Sequence, residues 1–148
     1  MICVIQRVSQ ASATVDGQIV GQIGQGMLVL AAVQAADLAE DVAWTARKLA
    51  SLRIFAGGER NFDRDVKEIG GSILLISNFT LAADARKGRR PSLAGAADQA
   101  AGREKFDQLV AAVRALGVNA EIGRFGADMQ IALVNDGPVT FILNSREK

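Results

Sequence analysis

The sequence predicts an α/β fold in which two helices pack on a barrel-like mixed sheet, within a single compact domain spanning residues 1–148. Three observations lead there. A chain of 148 residues with 49% hydrophobic content is the size that fills one core. About seven short segments carry the apolar patterning of strands, and two carry the period of helices. These segments follow one another without an internal repeat, a low-complexity tail or an interdomain linker.

In chain order, residues 2–8 read as a strand, and residues 14–23 as a hairpin around Asp16-Gly17, a pair suited to the positive φ of a tight turn. Residues 27–33, "MLVLAAV", form a continuous apolar run, which makes them a buried strand. Asp37 followed by Glu40 has the spacing of a capping box and opens a helix that runs to residue 51. Its inner face is Leu38, Val42, Thr45 or Ala46, and Leu49. A strand is expected at residues 52–55, then a polar loop or ragged hairpin over 56–71. Residues 72–81 return to a buried strand ending in "SNFTL", with Phe79 expected in the core. An alanine-rich stretch becomes a clear helix by Phe106, with Leu109, Val110, Val113 and Leu116 on the same face and Gly117 as its stop. Strands at residues 118–122, 129–134 and 139–143 complete the fold, the last two joined as a hairpin with Gly137-Pro138 at its tip.

Composition excludes whole classes of chemistry. The chain has no histidine, no tyrosine and one cysteine, which removes Ser-His-Asp and Cys-His nucleophile systems. Histidine-based zinc sites go with them, and no cysteine cluster replaces them, so no metal and no cofactor is expected. An enzyme built this way would rely on hydroxyls, carboxylates, lysine, backbone amides or the substrate's own groups, and it suits a substrate that is already activated. No apolar run reaches the roughly 18 to 20 residues of a membrane span, so no membrane association is expected. The first ten residues lack the basic flank and the length of a signal peptide, and Cys3 has no partner for a disulfide. The expected setting is cytoplasmic.

Four stretches could carry chemistry. At Gly137-Pro138, proline presets φ and glycine supplies freedom, which suits an ordinary turn. Held rigidly, the same tip would present the Gly137 carbonyl as an acceptor that no side chain shields. Ser77 and Thr80 are hydroxyls at the end of a buried strand, where they either bond locally to backbone or face a ligand. Backbone N–H groups of the same stretch could instead form an oxyanion site, which needs no titratable residue. "RKGRRPS" packs Arg86, Lys87, Arg89 and Arg90 into five positions with no compensating acid. That is either a solvated turn or a phosphate-binding loop. Phe125 and Met129, in "GRFGADMQI", either pack in the core or form an apolar wall beside the Gly-Pro tip.

Taken in order, "IQRVSQASATVDG", "SNFTLAADARKGRRPS", "GRFGADMQ" and "NDGPVTF" resemble the D-aminoacyl-tRNA deacylases from Ile5 to Phe141. The resemblance implies that family's fold and a homodimer in which each subunit's Gly137 and Pro138, joined by a cis bond, reach into the partner's active site. Their carbonyls would engage the substrate α-amino group and leave no room for an L side chain. It also implies tRNA as partner and substrate, with the loop of Arg86, Lys87, Arg89 and Arg90 meeting the acceptor end. Hydrolysis would be assisted by the terminal 2′-OH, with the backbone of Asn78 and Phe79 as oxyanion donors and Ser77 beside them. Thr80 is assigned to positioning rather than attack. Phe125 and Met129 would bind substrate, and Arg7 would pin the Gly-Pro element from beneath. A filter that works by steric rejection would let glycine through, which makes glycyl-tRNA an expected second substrate. Asn78 departs from the family pattern, which has glutamine there, one methylene longer, and Ala83, Ala85 and Leu93 stand where bulkier or more polar residues are expected. The rival readings are a noncatalytic RNA-binding module, a structural dimer with an incidental turn, and a general esterase.

Overall fold

A computed structural model describes residues 1–147. Strand β1 (Ile2–Val15) is twice the expected length and organises the sheet. It pairs antiparallel with β3 (Gly26–Ala32) along its first half and with β2 (Gln18–Ile23) along its second. β6 (Ser72–Ser77) then adds to β3, and β7 (Asn119–Ile122) adds to β6, both parallel. The carbonyl of Ile122 lies 2.4 Å from where a Cβ on Gly21 would stand, so glycine at that position lets β2 approach β7 and nearly close the barrel. The short hairpin of β4 (Phe55–Gly57) and β5 (Arg60–Arg64) lies outside this sheet.

The sheet is buried on both faces at β3 and β6, which is why those strands are near-continuous apolar runs. Met27, Val29, Ile73 and Leu75 face the two helices, α1 (Ala39–Ser51) and α2 (Gln99–Ala115). Val42 and Leu49 from α1 and Phe106, Leu109 and Val113 from α2 complete that layer. Leu28, Leu74 and Ile76 point the other way, into the curl of the sheet, against Val8, Ala11, Ala13 and Ile23.

Several expected boundaries shift. The C-terminal hairpin does not exist: residues 130–144 form one strand, β8 (Gln130–Asn144), antiparallel to β1 throughout. Both flanks of Gly137-Pro138 pair with β1 in the same direction, so the chain does not reverse there. β6 ends at Ser77 rather than at residue 81, and a 3₁₀ turn (Phe79–Ala82) follows. Phe79 is accordingly 57% exposed and not in the core. Leu38 and Leu116 sit at helix caps and are 58% and 39% exposed, so neither lines an inner face.

Asp37 does not cap α1. That task falls to Asp41, whose carboxylate accepts the Leu38 N–H at 2.9 Å. Asp37 is buried and pairs with the Met1 ammonium at 2.6 Å, both groups fully screened from solvent. Its other oxygen accepts the Gln34 N–H at 2.7 Å, and the ammonium also donates to Ser145 Oγ. This cluster joins the start of β1, the approach to α1 and the residue after β8.

Asp37→Ala would leave the ammonium buried without its counter-charge. We expect a loss of about 3 to 5 kcal/mol, read as a lower urea midpoint at unchanged slope. Cys3, next to this cluster in β1, has its thiol pushed up to about 12; burial is the main cause, opposed by the Met1 ammonium and reinforced by Asp37. The native protein should therefore resist iodoacetamide at pH 8 and alkylate fully only in denaturant.

Candidate active site

β3 and β6 are parallel, and their carboxyl ends open on one side of the domain. The apolar run of β6 stops at Ser77, and the Asn78 N–H closes the strand end by donating to the Ala31 carbonyl at 2.8 Å. The chain then turns into the 3₁₀ segment, at whose head the N–H groups of Phe79 and Thr80 find no acceptor within the turn. Of the two expected oxyanion donors, the Asn78 amide is thus already committed to β3, whereas the Phe79 amide donates to no backbone acceptor among the described residues. The Thr80 hydroxyl donates its one proton to Asn78 Oδ1 at 2.5 Å. That contact uses the side-chain oxygen of a position at which this chain departs from the family pattern.

A cleft of about 730 Å³ lies at these strand ends, lined by Ser77, Asn78 and Phe79 on one side and by Phe125 and Met129 on the other. Leu30, Ile131 and Leu133 give it an apolar floor. The Phe125 ring packs on Phe106 with centroids 6.0 Å apart, and the Arg103 guanidinium covers it at 4.7 Å. Two contributions were not foreseen from sequence. Gln6 reaches the cleft from β1, and Gln99 and Gly102 reach it from the first turn of α2. The signal for the latter was present in Asp98, whose carboxylate caps the helix by accepting the Ala101 N–H at 2.9 Å.

Gly137 and Pro138, Arg7 and Thr80 do not line this cleft. The Gly137-Pro138 peptide bond is cis, and both residues are exposed on an excursion from β8. Gly137 has φ +143, and a Cβ there would stand 2.6 Å from the Val139 side chain, so only glycine fits without strain. Arg7, on β1, donates through Nε to the Asp136 carbonyl at 3.0 Å and pairs with its carboxylate at 3.1 Å. Its Nη1 donates to the Ile54 carbonyl at 2.7 Å, which ties the excursion to the chain entering β4.

The basic loop is closed by a two-way backbone bridge between Asp84 and Ser92, each bond 2.8 Å. The run itself holds no acid, as expected, but Asp84 just before it compensates one of its cations: Arg86 makes a bidentate contact with Asp84 at 2.9 and 2.8 Å. Hydrogen bonding from Arg86 holds the Asp84 carboxyl below its usual range. Lys87, Arg89 and Arg90 are exposed and make no ion pair among the described residues.

Comparison with known proteins agrees across the whole chain. The family model described as D-Tyr-tRNA(Tyr) deacylase matches residues 4–144. A D-aminoacyl-tRNA deacylase of Desulfitobacterium hafniense is 50% identical over 147 residues, 99% of each chain. One of Methylococcus capsulatus is 51% identical over 143 residues, 97% of this chain and 94% of the relative. Among solved structures, the c-Myc DNA Unwinding Element Binding Protein superposes with a TM-score of 0.91 at 31% identity, covering 97% of this chain and 98% of the other. A probable eukaryotic D-amino acid tRNA deacylase superposes at 0.83 and 17% identity, covering 96% and 97%, which bears on the fold alone. With a family model matched over nearly its full length and relatives at half identity, the chain belongs to the D-Tyr-tRNA(Tyr) deacylase family.

Proposed function

We propose that this chain is a D-aminoacyl-tRNA deacylase that hydrolyses the ester of D-aminoacyl-tRNA to free amino acid and tRNA and spares the L ester. The observation that carries the mechanism is the open Phe79 N–H at the end of the cleft, beside a Thr80 hydroxyl whose proton is already given to Asn78. Such a site offers no activated nucleophile but does offer amides at the head of the turn, that of Phe79 lying at the cleft. It suits an ester whose neighbouring ribose 2′-OH assists the attack of water on the carbonyl carbon. The developing oxyanion would lie against the Phe79 amide. The C–O bond to the ribose 3′-oxygen then breaks, that oxygen takes a proton, and tRNA and amino acid leave.

In this reading discrimination belongs to Gly137 and Pro138. Their exposure and their absence from the cleft of their own chain support a homodimer in which each excursion enters the partner's cleft. Carbonyls there accept from the α-ammonium and crowd out an L side chain. Glycine, lacking one, would pass, so glycyl-tRNA mischarged on tRNA-Ala is a second substrate. Phe125 and Met129 wall the substrate, Arg7 holds the Asp136 carbonyl, and Lys87, Arg89 and Arg90 meet acceptor-end phosphates in the cytoplasm. The three cations without carboxylate partners would also serve a noncatalytic nucleic-acid module, and the first assay separates the two.

D-tyrosyl-tRNA and L-tyrosyl-tRNA followed side by side at low enzyme should show rapid loss of the D ester alone. Binding of tRNA without loss of either ester would establish the noncatalytic module, and equal loss of both would overturn the filter. Thr80→Ala should keep D-ester turnover within about tenfold, the scale of one orienting hydrogen bond. Abolished turnover with intact folding and tRNA binding would restore Thr80 as nucleophile.

A further inference from the structure

Between the pairs Gln6↔Thr140 and Val8↔Asn135, β1 advances two residues and β8 advances five. The three surplus residues leave the ladder, and Val139, at the return, has no register partner on β1. Its backbone groups are nevertheless both satisfied, and by one side chain. Asn135 Oδ1 accepts the Val139 N–H at 2.8 Å, and Asn135 Nδ2 donates to the Val139 carbonyl at 3.2 Å. The same Nδ2 donates to Thr140 Oγ1 at 3.2 Å, which also receives Gln6 Nε2 at 3.4 Å. The carboxamide of Asn135 thus stands in for the missing strand and clips residue 135 to residue 139. Val139 is itself buried in the main core, so the clip has a firm seat.

What the clip encloses is Asp136, Gly137 and Pro138. Arg7 fixes the Asp136 carbonyl at the outgoing end, and at the returning end Asn135 supplies the side-chain hydrogen bonds to the Val139 backbone seen among the described residues. Gly137 has no side chain and Pro138 no N–H, which limits the anchors either can make. We infer that Asn135 is the positioning residue that aims the Gly137 and Pro138 carbonyls, and so sets how sharply the site separates D from L substrates. This rests on the reading of Gly137-Pro138 as the filter. The requirement is specific: a glutamine would carry the amide one methylene too far, and an aspartate would keep the acceptor for Val139 N–H while losing both donated bonds.

The test is kcat/KM for D-tyrosyl-tRNA and L-tyrosyl-tRNA in the wild-type protein and in Asn135→Ala, Asn135→Asp and Gly137→Ala, with thermal midpoints alongside. Asn135→Ala should lower the D-over-L preference at least tenfold, and Asn135→Asp at least threefold. A purely structural role would slow both esters in proportion and leave the ratio unchanged, which would overturn the inference. Should Asn135→Ala not fold, the nearly isosteric Asn135→Asp decides on the same ratio. Gly137→Ala separates the two levels of the argument. If it erases the preference while the Asn135 variants keep theirs, the clip alone is wrong. If it too keeps the preference, the filter is wrong and the role of Asn135 falls with it.

Discussion

The pairing of β1 with β8 along nearly the whole of β1 is the constraint on which the rest depends. β1 offers one edge to β3 and β2 and the other to β8 over nearly its whole length. Its first half therefore lies in the middle of the sheet and can present Ile5 to the helical layer, while Val8, Ala11 and Ala13 pack inside the curl. β8 pairs only with β1 among the described strands, so it is an edge. An edge strand can leave the ladder without breaking a second one, and three surplus residues are accommodated there by a local departure.

The ladder is fastened at its open end by charge as well as by the buried Met1 side chain. The Ser145 N–H donates to the Met1 carbonyl at 2.9 Å, and the Met1 ammonium, Asp37 and Ser145 Oγ close around it. A buried pair of this kind gains little over an apolar contact but punishes any other arrangement, because a mispaired ammonium would stay buried without a counter-charge. It specifies register at one end of β1, while the Asn135 carboxamide restores it in the middle.

Much of the fold could be read from periodicity, and what could not has identifiable causes. The runs around Leu28 and Leu74 announced strands buried on both faces because nothing else tolerates uninterrupted apolar residues in so short a length. The alternation on either side of Gly137-Pro138 announced strands too, but alternation does not record whether the chain reverses between them. Turn chemistry suggested reversal, and the length of β1 overruled it. Phe79 was placed in the core because it follows an apolar run, yet the strand ends at Ser77, two residues before it, where the Asn78 amide bonds to Ala31, and the ring is exposed. Asp37 looked like a cap because its true partner is 36 residues away in sequence. Asp84 escaped notice as the partner of Arg86 because it lies just before the cationic run. Asn135 carries no periodic signal at all; its role comes from two bonds to a residue four positions on.

On the proposed reading, the two parts of the site make opposite demands, and the chain meets them in different places. Hydrolysis of an activated ester needs an open cleft and an amide donor, and strand ends supply these at little structural cost, since N–H groups at the head of a turn are unsatisfied anyway. Discrimination by shape needs backbone that does not yield when the wrong substrate presses on it, and strand ends are poor at that. A strand excursion anchored at Asp136 by Arg7 and at Val139 by Asn135 is better suited, because each anchor is set in the sheet rather than in solvent. The exposed Gly137 and Pro138 then stand away from the cleft of their own chain. A second copy, on the proposed reading, brings acceptor and donor together across one interface, and neither half of the site is complete without it.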